Sequence, residues 1–235
     1  MCTVSVVPCG DGVRLLCNRD ERRDRTPARP PKLIRCGNRT AIVPVDPDGG
    51  GSWIGVNDAG LAIALINRPA GCGSRGAESR GLIVTRLLRE SSLEGCASAT
   101  STMDARRYQP FRLVAVQAGL ALLADADGSR VCRRAFDVSQ PRMLTSSSVD
   151  AAATAAFRGE RFQTIVLAAR GDRAAAQQQF HCQKDPERPS VSVLMSRAEA
   201  RTVSRTTVDL GPRAAYFLYE PLDASGGPVR CNLRF

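Results

Sequence analysis

The order of segments in this 235-residue sequence predicts an α+β fold in which two antiparallel sheets pack face to face with helices outside them. Three observations carry that expectation. Strand-like and helical stretches come in blocks: strands, helices, strands, helices, strands. Residues 61–66, Leu-Ala-Ile-Ala-Leu-Ile, are apolar on both faces, as a buried central strand is. Short turn clusters separate most neighbouring strands, which favours hairpins and meanders. The pattern alone does not separate this layout from other α+β arrangements.

Residues 1–7 and 13–21 predict two strands joined by the turn cluster Pro8-Cys9-Gly10-Asp11-Gly12. Strand alternation puts Asn18 and Asp20 on one face and Cys17, Arg19 and Glu21 on the other, so Asn18 and Asp20 can together meet a group on the neighbouring strand. From 22 to 48 the composition shifts to Arg, Pro and Asp, with Pro27, Pro30, Pro31, Pro44 and Pro47 opposing helix. This predicts a long loop with one short strand at 40–45, serving either as a lid or as a passive surface excursion. Strands at 52–56 and 61–66 flank the tight turn Asn57-Asp58-Ala59-Gly60. Residues 71–76 predict a flexible connection, and the apolar spacing of 81–89 with Leu93 predicts a helix pair within 77–107. Strands at 111–116, 120–125 and 130–136 form a meander, followed by a short strand at 143–145. An alanine-rich helical stretch runs from 149 to 180 with Gly159 and Gly171 as interruptions. Strands at 190–194, 202–210 and 214–219 close the chain.

The length suits one domain, 1–235, because no Pro/Gly/Ser-rich linker divides it. No apolar run approaches the roughly 20 residues that a membrane helix needs, and no charged n-region with an apolar h-region opens the chain. A soluble cytoplasmic protein is expected. Nine cysteines cannot all pair and none form Cys-x-x-Cys, which fits reduced thiols better than a disulfide framework. His181 is the single histidine, so a His-based zinc site is nearly excluded and no metal is expected. The net charge is +10, yet of 33 basic side chains only Lys32 and Lys184 are lysine, and the arginines are dispersed. With aromatics at 5%, stacking platforms for single-stranded nucleic acid are poorly supplied, and no nucleic-acid partner is expected. The densest cluster, Arg19, Arg22, Arg23, Arg25 and Arg29, could favour an anionic ligand.

Cys2 draws the chemistry. If Met1 is removed, one residue carries both a thiol and a free α-amine, with ordinary pKa values of about 8.5 and about 7.7 to 8.0, close enough for cheap proton transfer between them. Otherwise Cys2 is an ordinary second residue. Asn67, at the exit of the buried strand, can stabilise an oxyanion with its carboxamide or can cap a turn before Pro69.

Asn18-Arg19-Asp20-Glu21 after a Met-Cys start resembles the signature of the NRDE family, which includes the transport-and-Golgi-organisation type 2 proteins. The stretch from Gly50 through Trp53, Asn57 and Asn67 to Pro69 is similar to the family's second block, and residues 192–196 and 201–204 resemble bacterial members. The family in turn resembles a distant branch of the N-terminal nucleophile hydrolases that contain penicillin V acylase and bile salt hydrolase. The resemblance implies a four-layer αββα sandwich with Cys2 as nucleophile. It assigns Asp20 to orienting the amine, Asn67 to the oxyanion, Asn18 to the catalytic group, and Arg19, Trp53 and Ser146 to the substrate. An orienting Asp20 should matter for function and little for folding.

Two departures stand out. Those hydrolases carry Arg-Asn-x-Asp on the second strand, and here Cys17 stands in the arginine's place, with Arg19 expected on the wrong face to replace it. Ser146 stands where a loop presents a second Asn. Two function classes follow: a cysteine amidohydrolase acting on a linear or acyl amide C–N bond, or a non-catalytic carrier of haem or an acyl lipid. A purely structural role is a third. No cofactor is required for the first, and for haem the available axial ligands are Cys2, Cys17 and His181.

Overall fold

A computed structural model describes residues 2–68, 78–223 and 226–235. Met1 and the connection expected at 71–76 lie outside them. The first strands are β1 (Cys2–Cys9), β2 (Gly12–Arg22), β3 (Arg29–Cys36), β4 (Arg39–Val45), β5 (Ile54–Asn57) and β6 (Ala62–Asn67). Helices α1 (Gly81–Leu87) and α2 (Leu93–Ser101) follow, then β7 (Phe111–Gln117), β8 (Leu120–Ala126), β9 (Val131–Asp137) and β10 (Arg142–Ser146). Helix α3 (Ala151–Phe162) continues through a π-helical turn, Gln163–Leu167, towards α4 (Arg173–His181), and β11 (Ala200–Leu210), β12 (Ala214–Pro221) and β13 (Val229–Arg234) end the fold.

The strands form two sheets, one ordered β10-β1-β2-β11-β12-β13 and the other β3-β4-β5-β6-β7-β8-β9, with antiparallel neighbours throughout. Alternation along each strand dictates three apolar layers. Val4, Val6, Leu15, Cys17, Val208 and Phe217 of the first sheet meet Ile42, Val56, Ala64, Ile66 and Val114 of the second in the central layer. The opposite face of the second sheet, with Ile63, Leu113 and Ala115, packs on Ile83, Val84, Leu87 and Cys96 of α1 and α2. The outer face of the first sheet contributes Val7 to a cluster with Phe162, Val166 and Phe180. The architecture is therefore the expected four-layer αββα sandwich.

Four local expectations change. Residues 22–48 are largely strand, because β3 is a sheet edge where the missing N–H groups of Pro30 and Pro31 cost nothing; the pairing register shifts between Arg29 and Lys32 to pass them. Gly159 does not break α3, which runs on to Phe162. Residues 190–194 are not a strand, since side chains consume their carbonyls: Arg158 Nε donates to Val191 O and Ser192 O, and Asn18 Nδ2 to Val193 O. The unanticipated β13 buries Val229, Cys231 and Leu233 more than the alternate Arg230, Asn232 and Arg234.

Candidate active site

The register of the first sheet builds the site. Cys2 pairs with Arg19 on one side and with Ser146 on the other, at the head of a strand held between β2 and β10. Directly paired residues project to the same face, so Cys2 and Arg19 point together into the space between the sheets, with Cys17 one step along. There a cavity of about 340 Å3 is lined by Cys2, Arg19, Asp20, Trp53, Asn67 and Arg80, among others. The expectation that Arg19 lies on the wrong face is corrected by this register: it shares the face of Cys2.

The electrostatics of Cys2 come mainly from its neighbour. The Cys17 S–H donates to Cys2 Sγ and lowers the Cys2 thiol to about 7 against the opposing pull of burial, while Cys17 itself is raised well above its ordinary range. The positive charge of the chain's N-terminus and the Asp20 backbone N–H add to the lowering, and the Asp20 charge opposes it. The backbone N–H of Cys2 donates to Ser146 Oγ at 3.2 Å. The serine thus reaches the nitrogen that would be the α-amine of a chain starting at Cys2.

Asp20 is 1% exposed and borders the cavity, held by Thr202 Oγ1 at 2.7 Å and by Arg158 Nη2 at 3.3 Å. Arg158 is itself 1% exposed and also donates to Thr3 Oγ1 at 2.6 Å and Thr145 Oγ1 at 3.0 Å, tying β1, β2 and β10 together next to Cys2. Asn18 faces the same helical layer and does not line the cavity. Its amide donates to His181 O and Val193 O, while its Oδ1 meets His181 Nδ1 at 3.0 Å. It braces α4 against β2.

Asn67 lines the cavity from the second sheet, half-buried at the end of β6 opposite Phe111. Trp53 is buried beside it, with the Arg19 guanidinium carbon 4.4 Å above its ring and Tyr219 at 6.4 Å. The Trp53 indole N–H has no hydrogen-bond partner among the described residues. Gly51 and Gly81 form a wall of the same cavity. A Cβ on Gly51 would fall 2.2 Å from the Gly81 carbonyl carbon, and Ser52 N–H donates to Gly81 O at 3.0 Å, so the loop before β5 sits flat on the start of α1.

Sequence reasoning missed Arg80, Arg158 and Thr202 as site residues. Arg158 lies in the alanine-rich helical stretch with no local sign of burial, so only the tertiary structure reveals it. Thr202 falls within the 201–204 block, where its role had no local signature.

Haem fits this donor set poorly. His181 is fully buried with Nδ1 bonded to Asn18 and Nε2 2.7 Å from Ser5 Oγ, and Cys17 is fully buried beneath Cys2. Only Cys2 of the three candidate ligands opens on the cavity, whose other walls carry Arg19, Glu21, Arg25, Asp46 and Arg80.

A family model for Transport and Golgi organisation 2 matches residues 13–211. The chain belongs to that family. The match begins after Cys2, which therefore lies outside it. Among solved structures, the chain is similar to penicillin V acylase from Agrobacterium tumefaciens, with 12% identity, TM-score 0.55, and 98% of this chain and 90% of that one covered. It is also similar to a mutant of conjugated bile acid hydrolase from Clostridium perfringens, with 12% identity, TM-score 0.57 and coverages of 98% and 92%. An N-acylethanolamine-hydrolyzing acid amidase orthologue from Caenorhabditis elegans aligns at 11% identity and TM-score 0.57, over 87% of this chain and 91% of that one. These likenesses show the N-terminal nucleophile hydrolase fold. No curated protein sequence matches the chain, and no helix among the described residues is long and apolar enough to cross a membrane.

Proposed function

We propose that this Transport and Golgi organisation 2 family member is an N-terminal cysteine amidohydrolase acting on an acyl or linear amide. The observation that carries the reading is the placement of Cys2: its thiol, lowered to about 7, faces a cavity that also contains Asn67, while its backbone nitrogen meets Ser146.

With Met1 removed, the thiol proton passes to the α-amine and the thiolate attacks the amide carbonyl carbon. The carbonyl oxygen becomes an oxyanion that the Asn67 carboxamide stabilises, a donor contribution of about 10² to 10³ in rate. The ammonium then protonates the departing nitrogen as the C–N bond breaks, leaving a thioester on Cys2 and a free amine product. Water, deprotonated by the α-amine, attacks the thioester and releases the carboxylic acid and the thiol. Asp20, fixed by Arg158 and Thr202, borders the cavity and orients the amine. Cys17 takes over part of an arginine's task by hydrogen bonding to the thiolate, which a neutral donor does less strongly than a charge.

That weaker support is also the observation that favours a second reading, a carrier that keeps the cavity without turnover. N-acyl amides incubated with wild type and Cys2→Ala separate the two: Cys2-dependent release of amine supports the enzyme, and equal ligand binding by both proteins without amine release supports the carrier.

A further inference from the structure

The charged groups around the Cys2 cavity are almost all accounted for. Glu21 is paired with Arg19 at 3.2 Å and Arg25 at 3.6 Å, and Asp46 with the same arginines at 3.3 Å and 2.7 Å. Asp20 is paired with Arg158, and Glu78 with Arg86 and Arg107. Arg80 is the exception. It is half-buried in the cavity wall, donates one Nη1 hydrogen bond to Pro110 O at 3.0 Å, and has no carboxylate within ion-pair distance among the described residues. Burial holds its pKa below the ordinary arginine value; a Cys2 thiolate and, from beyond ion-pair distance, the Glu21 carboxylate pull the other way without overcoming it.

A guanidinium has five N–H donors, and leaving it partly desolvated without a counter-charge is costly unless a ligand supplies one. From this unbalanced charge we infer that Arg80 is the anion-recognition residue of the cavity and that the substrate is an amide carrying one carboxylate, or an equivalent single anion, close to the scissile bond. The inference rests on Cys2 being the attacking group. A single unpaired guanidinium matches a single planar carboxylate, which it can hold through two parallel N–H bonds; a phosphate with two charges would call for a second free cation that the described walls do not offer. A volume of about 340 Å3 admits a small molecule of that kind. N-acyl amino acids are thereby favoured over neutral N-acyl amides.

The test reads the charge beside Cys2 before any hydrolysis. Cys2 of the full-length protein is alkylated with anionic iodoacetate and neutral iodoacetamide, and the ratio of the two rates is compared with that at exposed Cys132 in the same molecule. Wild type should favour iodoacetate at Cys2 by about tenfold over the Cys132 ratio, the scale of one close charge pair in a partly buried site, and salt should erode the preference. Arg80→Gln should reduce the ratio to that of Cys132, and Arg80→Lys should retain part of it. In hydrolysis, Arg80→Gln should raise KM about tenfold for an N-acyl amino acid and leave its uncharged carboxamide analogue unchanged. Wild-type protein without the anion preference, a preference insensitive to salt, a preference that survives Arg80→Gln, or a Cys2 reached by neither reagent would each overturn the assignment. If Arg80→Gln does not fold, the wild-type ratio and its salt dependence decide. An intact preference with no amide cleaved would sink the hydrolase reading and leave the anion site standing.

Discussion

Cys17 and Cys2 share the inter-sheet face of adjacent strands, and the Cys17 S–H is the hydrogen-bond donor to the Cys2 sulfur. This makes the thiolate's stability depend on a neutral group where the hydrolase pattern has a cation. Cys17→Ala removes the hydrogen bond that does most to lower Cys2, while burial and the Asp20 charge continue to raise it. The pH midpoint of Cys2 alkylation should rise from about 7. The rate at pH 7 should fall about tenfold or more, since a hydrogen bond to a charged group is worth roughly 1.5–3 kcal/mol. An unchanged midpoint would show that Cys17 does not support the thiolate.

Asp20 needs a different expectation from the one its sequence context suggests. Its ion pair with Arg158 is fully buried, each side chain being 1% exposed, so Asp20→Asn leaves a charge without its partner. The variant should lose about 3–5 kcal/mol of stability as well as function. Urea denaturation of Asp20→Asn and Arg158→Met checks this. A full-stability Asp20→Asn without function would restore a purely orienting role.

His181 makes stability depend on pH in a defined window. Burial holds its folded pKa well below 6.5, so as the pH falls through 6.5 the unfolded chain takes up a proton that the native one refuses. Stability should therefore be complete above about 6.5 and decline towards acid, with a limiting slope of about 1.4 kcal/mol per pH unit from this residue. Denaturation of wild type and His181→Gln between pH 5 and 7.5 should show the slope only in wild type. The same slope in both proteins would assign it to other groups.

The layers of the fold were legible because their period-2 and helical patterns are local: Leu61 to Ile66 and the 111–136 meander announce themselves. β3 was obscured by Pro30 and Pro31, whose tolerance depends on being at an edge, a fact of the assembled sheet. β13 was legible in principle from the alternation of Val229, Cys231 and Leu233. At the site, strand alternation gave the correct grouping of Asn18 with Asp20 and of Cys17 with Arg19. It could not say which group faces the cavity, because that depends on which sheet face the helices cover. Arg158 and Arg80 carried no local mark, since one is buried by α3 packing on β10 and the other is set apart by the pairing of every charge around it.

The central claim is that the mature chain begins at Cys2 and forms an acyl thioester there. Intact-protein mass spectrometry during reaction with an N-acyl amino acid tests both halves together. The expected result is a starting mass that lacks Met1 and a transient increase by one acyl group on Cys2, absent in Cys2→Ala and lost as acid is released. Retention of Met1, or product formation that persists in Cys2→Ala, would contradict it.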